Sequence, residues 1–250
     1  MGPPGQPGSR RPGGRSPTGV VIIAVVVALL VYEIGRAHSI SREEVIFFLV
    51  LIPSIILHEV SHGAVALLLG DDTAKRAGRL TLNPLRHIDP IGTIVLPVIM
   101  VLTVGSAFGY AKPVPVNVRR LRHPRNDAVL VGLVGPFVNI VLAVAAAAAL
   151  RLLAPIGTIP PPGFVPASTG WDVVYMLGFA NMILAAFNLI PIPPLDGSAV
   201  VERLLPRSWW PGYLQLRQYA MPVLILVILL IPSVRNGAGA WGLRAWSHLL

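Results

Sequence analysis

The stretch LHEVSHG, Leu57 to Gly63, sets two histidines and a glutamate in a run that is otherwise apolar, with VIFFLVLIPSIIL before it and AVALLLG after it. On a helix, His58 and His62 are four residues apart and lie on one face a turn apart, so both imidazoles can reach a single ion. Glu59 falls beside them. This spacing is the donor pattern of zinc hydrolases: two neutral imidazoles bind the metal, and the glutamate takes a proton from the water that the metal activates. A lone histidine in an apolar helix more often bonds to a neighbour than to a metal. Three ionisable groups within five residues are a different matter, because each costs roughly 2.5 to 3.5 kcal/mol inside a membrane, and a metal accounts for their presence. Zinc would require one more protein ligand.

The elements that position these residues are membrane helices. Of 250 residues, 54% are hydrophobic and 12% charged, and the mean hydropathy is +0.71, a balance that excludes an ordinary soluble domain. Several apolar runs approach the ~18 to 20 residues that cross ~30 Å of hydrocarbon as a helix. The net charge of +9 comes from short basic clusters between those runs, which marks membrane-flanking loops, and no nucleic-acid partner is expected. Cysteine is absent, which excludes disulfides, thiolate nucleophiles and cysteine-zinc sites, so any metal must use histidine and carboxylate.

The expected fold is an all-α polytopic membrane protein with about five to six transmembrane helices, a membrane-embedded hairpin and a short β element near residues 78–82. Residues 1–18, rich in Gly and Pro, read as a disordered cytoplasmic tail, and residues 19–250 as one domain. Apolar segments fall at about 19–34, 44–69, 128–153, 173–190 and 219–231. Ser41 and Glu44 form a capping-box pattern that starts a helix near Arg42, and Gly70 with Asp71 and Asp72 ends it. The run 91–110 is flanked by basic loops on both sides and interrupted by Gly92, Pro97, Gly105 and Gly109. It therefore reads as a hairpin that enters and leaves by one face. Trp241 and Trp246 read as interfacial anchors.

The third ligand must be a His, Asp or Glu at similar depth. His62 lies about 12 Å along the helix from its inner end at 1.5 Å per residue. Asp196, in NLIPIPPLDG, sits in a turn where Pro191, Pro193 and Pro194 forbid regular helix, so the chain can bend back and present it. His87 is the nearest competitor. Asp89, Asp127 and Asp172 read as capping or loop residues, and Asp71, Asp72 and Glu202 as solvated ones.

HEVSHG in the second segment, GPFVN (Gly135 to Asn139) in the third and NLIPIPPLDG (Asn188 to Gly197) after the fourth together resemble the site-2 protease family of intramembrane zinc metalloproteases, in its compact bacterial form without a PDZ insert. The resemblance covers about residues 45–206, the catalytic core. It implies one Zn²⁺ per chain held by His58, His62 and Asp196, with Glu59 as catalytic base. It also implies that Asn139 and Asn188 line the site and hold substrate backbone or an oxyanion, although packing and helix-breaking roles fit them equally. The expected activity is hydrolysis of peptide bonds in or near transmembrane segments of single-span membrane proteins, by a multi-pass protein of the bacterial cytoplasmic membrane with a cytoplasmic N-terminus. Two other readings of the same residues are a metal-ion transporter with a transient site and a non-catalytic membrane scaffold, the latter opposed by the intact Glu59.

Overall fold

The histidine motif lies on α1, Arg42–Leu68, in a computed structural model that describes residues 42–89, 92, 112–155 and 170–250. These residues fall within one unit, Ile40–Leu250. The helix ends at Gly70, whose φ of +108° lies in the left-handed region that glycine reaches without a Cβ clash. There Gly70 N donates to the Leu67 carbonyl at 3.1 Å and Asp71 N to the Ala66 carbonyl at 2.8 Å, which satisfies carbonyls the helix would otherwise leave open.

A short helix, α2 (Thr73–Arg76), and two 3₁₀ turns (Pro84–Arg86 and Val118–Arg120) lead to α3, Pro124–Leu153, which opens with proline at its first position. Then follow α4 (Trp171–Asn188), α5 (Ser198–Leu204), a 3₁₀ turn (Arg207–Trp209), α6 (Trp210–Arg217), α7 (Ala220–Leu230) and α8 (Pro232–Leu249). The described residues are all-helical and contain no strand. Among the described residues three helices are long and apolar enough to cross a membrane: Val45–Leu68, Pro124–Leu153 and Trp171–Asn188.

These three helices pack on one another, and α8 packs on α4. Ala143, Ala146 and Ala147 of α3 are buried in one cluster with Tyr175, Met176 and Ala180 of α4 and Val50 of α1. Small side chains let the backbones approach closely, which is how helices associate where lipid removes the hydrophobic drive. Leu49, Ile52, Phe137 and Leu152 remain exposed, as expected where the surroundings are hydrocarbon. At one end of the bundle Arg42 pairs with Asp172, which also caps α4 by accepting from Gly170 N at 2.9 Å and Val173 N at 2.8 Å. At the other end Arg122 N donates to the Leu69 carbonyl at 3.0 Å, joining the start of α3 to the end of α1.

Three expectations are corrected. Residues 78–82 form a turn instead of a β element, because Gly78 N and Arg79 N donate back to the Lys75 and Ala74 carbonyls at 3.0 Å, closing α2 instead of pairing with a strand. The His87 ring bonds the Thr81 carbonyl at 2.9 Å, and the Arg79 guanidinium donates to the Arg86 carbonyl. Asp71 is fully buried, not solvated. Trp246 is a core residue with no exposed surface, so of the two tryptophans only Trp241 is free to act as an anchor. The tail, the first segment and, apart from Gly92, the hairpin of residues 91–110 lie outside the described residues.

Candidate metal centre

On α1, His58 and His62 present their rings edge to face with centroids 4.7 Å apart. Each ring is fixed from behind. His62 Nδ1 lies 2.6 Å from the Val131 carbonyl of α3, and His58 Nδ1 lies 2.6 Å from Asn139 Oδ1, also of α3. A carbonyl only accepts, so His62 Nδ1 carries the ring proton. Asn139 Nδ2 donates to Asn181 Oδ1 at 2.7 Å, which turns Asn139 Oδ1 towards His58 as an acceptor and assigns the proton there to Nδ1 as well. Both Nε2 lone pairs are thereby directed away from the supporting groups.

They meet each other and Asp196. The Nε2 atoms are 3.1 Å apart, and Asp196 Oδ2 lies 3.0 Å from His58 Nε2 and 3.3 Å from His62 Nε2. Asp196 Oδ2 is buried and has no hydrogen-bond partner. Three lone-pair donors held at van der Waals distance repel one another unless a cation lies among them. Ligands 2.0 to 2.1 Å from a tetrahedral zinc are about 3.3 Å apart, so the donor set fits zinc in chemistry and in spacing. Among the described residues this is the one group of three His, Cys, Asp or Glu side chains close enough to share an ion. The histidines are buried, whereas the Asp196 side chain keeps 22% of its surface, so the centre opens on the Asp196 side.

The turn that delivers Asp196 is built from Asn188–Gly197. Gly197 N donates to the Asn188 carbonyl at 2.7 Å, and a Cβ on Gly197 would lie 2.3 Å from the Leu189 carbonyl oxygen, so only glycine closes this loop. On α3, Gly132 and Gly135 make room for both halves of the centre. A Cβ on Gly132 would lie 2.6 Å from Ala199 Cβ and 3.2 Å from the Asp196 carbonyl oxygen, and one on Gly135 would lie 2.4 Å from His62 Nε2.

Of the remaining residues expected at the site, Glu59 follows His58 and its Oε2 accepts from Val114 N at 2.8 Å. Asn139 is fully buried behind His58. The Asn188 amide donates to the Leu184 carbonyl of its own helix at 2.9 Å. His87 bonds to Thr81 and is not part of the group. Residues that carry the centre without being singled out in the sequence are Ser54, Val114, the Val131 carbonyl and Asn181. Only Asn181 and Ser54 left a trace there, as polar side chains inside apolar runs.

Fold and site together define an all-helical membrane protein with a preformed His-His-Asp donor set. Residues 152–231 match peptidase family M50. The candidate zinc metalloprotease YwhC of Bacillus subtilis is 40% identical over 183 residues, 73% of this chain and 78% of its own. Rip2 of Mycolicibacterium smegmatis, also a candidate zinc metalloprotease, is 31% identical over 196 residues, 76% of this chain and 70% of its own. Its namesake in Mycobacterium tuberculosis is 34% identical over 185 residues, covering 74% and 66%. No solved structure matches. The chain belongs to peptidase family M50, the site-2 protease family.

Proposed function

We propose that the protein is an intramembrane zinc metalloprotease that hydrolyses peptide bonds in or near the transmembrane segments of single-span membrane proteins. The observation that carries this reading is the convergence of His58 Nε2, His62 Nε2 and Asp196 Oδ2 at 3.0 to 3.3 Å within a bundle of spanning helices. In this reading those three atoms hold the ion. When bound, zinc supplies Lewis acidity, polarising the scissile carbonyl and making water nucleophilic near neutral pH. Glu59 takes the proton from that water and returns it to the departing amine. The Val114 N–H keeps the carboxylate in place for both transfers.

A helical substrate hides its carbonyls in hydrogen bonds to residues four along, so it must unwind locally before its carbonyl is open to attack. The irregular turn at Pro191–Gly197 supplies non-helical backbone beside the metal ligands, where water and an unwound strand can be accommodated. The reading includes a multi-pass topology of about five to six spans in a bacterial membrane with the N-terminus in the cytoplasm, supported by the Arg and Lys clusters between apolar runs.

The test is cleavage of a single-span reporter and zinc content for purified wild type, Glu59→Gln and His58→Ala. Glu59→Gln should retain zinc and lose cleavage, and His58→Ala should lose both. Wild-type cleavage by Glu59→Gln would end the proposal.

A further inference from the structure

Behind His58 runs a chain of hydrogen bonds that crosses all three packed spanning helices. His58 Nδ1 lies 2.6 Å from Asn139 Oδ1 on α3, Asn139 Nδ2 donates to Asn181 Oδ1 on α4 at 2.7 Å, and Asn181 Nδ2 donates to Ser54 Oγ on α1 at 2.9 Å. Ser54 Oγ in turn donates to the Val50 carbonyl at 2.7 Å, and Asn181 Nδ2 also donates to the Leu177 carbonyl at 2.8 Å. Asn139 and Asn181 have no exposed surface and Ser54 has 1%. Water therefore does not compete for these groups, and a broken link leaves a buried polar atom unpaired.

The chain has a direction. Val50 and Leu177 present helix carbonyls, which only accept, so Ser54 must donate its one proton to Val50 and Asn181 must turn its NH₂ towards Leu177 and Ser54. That leaves Asn181 Oδ1 facing Asn139, which forces the Asn139 NH₂ towards Asn181 and its Oδ1 towards His58. An acceptor at that point holds the imidazole proton on Nδ1 and leaves Nε2 bare for metal. Reversing either amide would set two acceptors or two donors against each other inside the bundle.

We infer that Asn139, Asn181 and Ser54 form a positioning relay that fixes the tautomer and ring orientation of His58. This assigns Asn139 to holding the ligand rather than contacting substrate, and gives a role to two residues outside the donor set. The inference rests on His58 being a zinc ligand, and groups that orient metal-binding histidines typically change affinity 10- to 100-fold when removed.

The experiment has two readouts: ¹⁵N NMR of the His58 ring in the zinc-free protein, and zinc affinity by chelator competition, for Asn139→Leu, Asn139→Asp, Asn181→Leu and Ser54→Ala. Wild type should show Nδ1 protonated. Asn139→Leu and Asn181→Leu should show a mixture of tautomers and bind zinc about 10- to 100-fold more weakly. Asn139→Asp keeps an acceptor towards His58 but sets its second oxygen against Asn181 Oδ1, so it should retain the Nδ1 proton while losing thermal stability. Ser54→Ala should have the smallest effect, because the Leu177 carbonyl still orients Asn181. The relay is refuted by an unchanged tautomer and affinity in both leucine variants, including the case in which Asn139→Leu loses only turnover, as a substrate-binding residue would. Failure of wild type to bind zinc through His58 would instead overturn the metal assignment, while the ring spectrum of the zinc-free protein still reports on the relay.

Discussion

A Cβ built on Gly135 would lie 2.4 Å from His62 Nε2 and 2.6 Å from His58 Cε1, so α3 reaches the paired imidazoles only because this position has no side chain. The same approach brings the Val131 carbonyl and Asn139 within 2.6 Å of the two Nδ1 atoms. Gly135→Ala must push either the helix or both rings out of place. A displacement near 1 Å can cost about 100-fold in turnover, and a disturbed ligand shell about 10-fold or more in affinity. Chelator competition and reporter cleavage should both register the change, with helix content by circular dichroism unaltered. An alanine variant that binds and cleaves as wild type would show that this close approach is dispensable.

Glu59 is held by a backbone donor, Val114 N, in a stretch whose neighbours Pro113 and Pro115 supply no N–H. Residue 114 precedes a proline and is already confined to extended conformations, which proline itself tolerates. Val114→Pro therefore removes the one N–H that fixes the base with little change in backbone shape. It should lower kcat about 10-fold or more, with zinc content unchanged. Val114→Ala serves as the control for the buried side chain and should retain most of the activity. Equal kcat for the proline and alanine variants would remove any role for the N–H.

The parts of the centre that were legible in the sequence are those set by spacing along one helix or by a break in it. His58, Glu59 and His62 are neighbours on α1 by periodicity alone, and prolines flanking Asp196 announce an irregular turn. The limits of α1 and α4 followed from apolar length and the glycine stop, because hydrocarbon thickness fixes how long a spanning helix must be. What the sequence did not reveal depends on contacts between distant segments. Ser54 looks like an ordinary small residue on α1 until Asn181, 127 positions away, donates to it. Asp71 reads as half of an exposed acidic pair until Asn117 N, 46 positions away, closes over it. Trp246 shows the same limit: an aromatic residue near the chain end reads as an anchor unless the glycine that accommodates its ring, on another helix, is known.

Asp71 gives the fold an acid-sensitive clasp. Its carboxylate accepts from Thr73 N at 3.0 Å, Asn117 N at 2.6 Å and the Thr73 hydroxyl, and Arg120 lies 3.7 Å away. Burial pushes the pKa of this group up, but the hydrogen bonds from Thr73 and Asn117, aided by Arg120, outweigh it and hold the carboxyl below its ordinary 3.8. A group depressed in the folded state stabilises fully above the unfolded value and loses that stabilisation as pH falls through the folded one. Wild type should therefore lose thermal stability as pH drops below about 3.8, and Asp71→Asn should lose less over that range while being about 1 to 3 kcal/mol less stable at neutral pH. Thermal midpoints in detergent between about pH 6 and pH 3 decide the matter. Parallel curves for the two proteins would show that Asp71 does not contribute the acid dependence.

Trp246 is what fastens α8 to the bundle. Its ring has no exposed surface, stands edge to face on Tyr175 with centroids 5.6 Å apart, and fills the space over Gly178, where a Cβ would lie 2.1 Å from Trp246 Cη2. One turn earlier Gly242 meets Ile183, and beyond it Arg151 Nε donates to the Leu250 carbonyl at 3.1 Å, so α8 is tied to both α4 and α3. Truncating a core tryptophan costs roughly 3 to 5 kcal/mol in water-soluble proteins. Lipid is as apolar as the side chains it replaces, so most of what is lost here is van der Waals packing, and the cost should fall at or below the lower end of that range. Trp246→Ala should lower the thermal midpoint and expose residues 232–250 to protease. Gly178→Ala should do the same by displacing the ring from the opposite side. Zinc affinity should change little in Trp246→Ala, because Trp246 is not part of the relay behind His58. A Trp246→Ala protein that unfolds at the wild-type temperature with its last helix still protected would mean that α8 is held by other contacts.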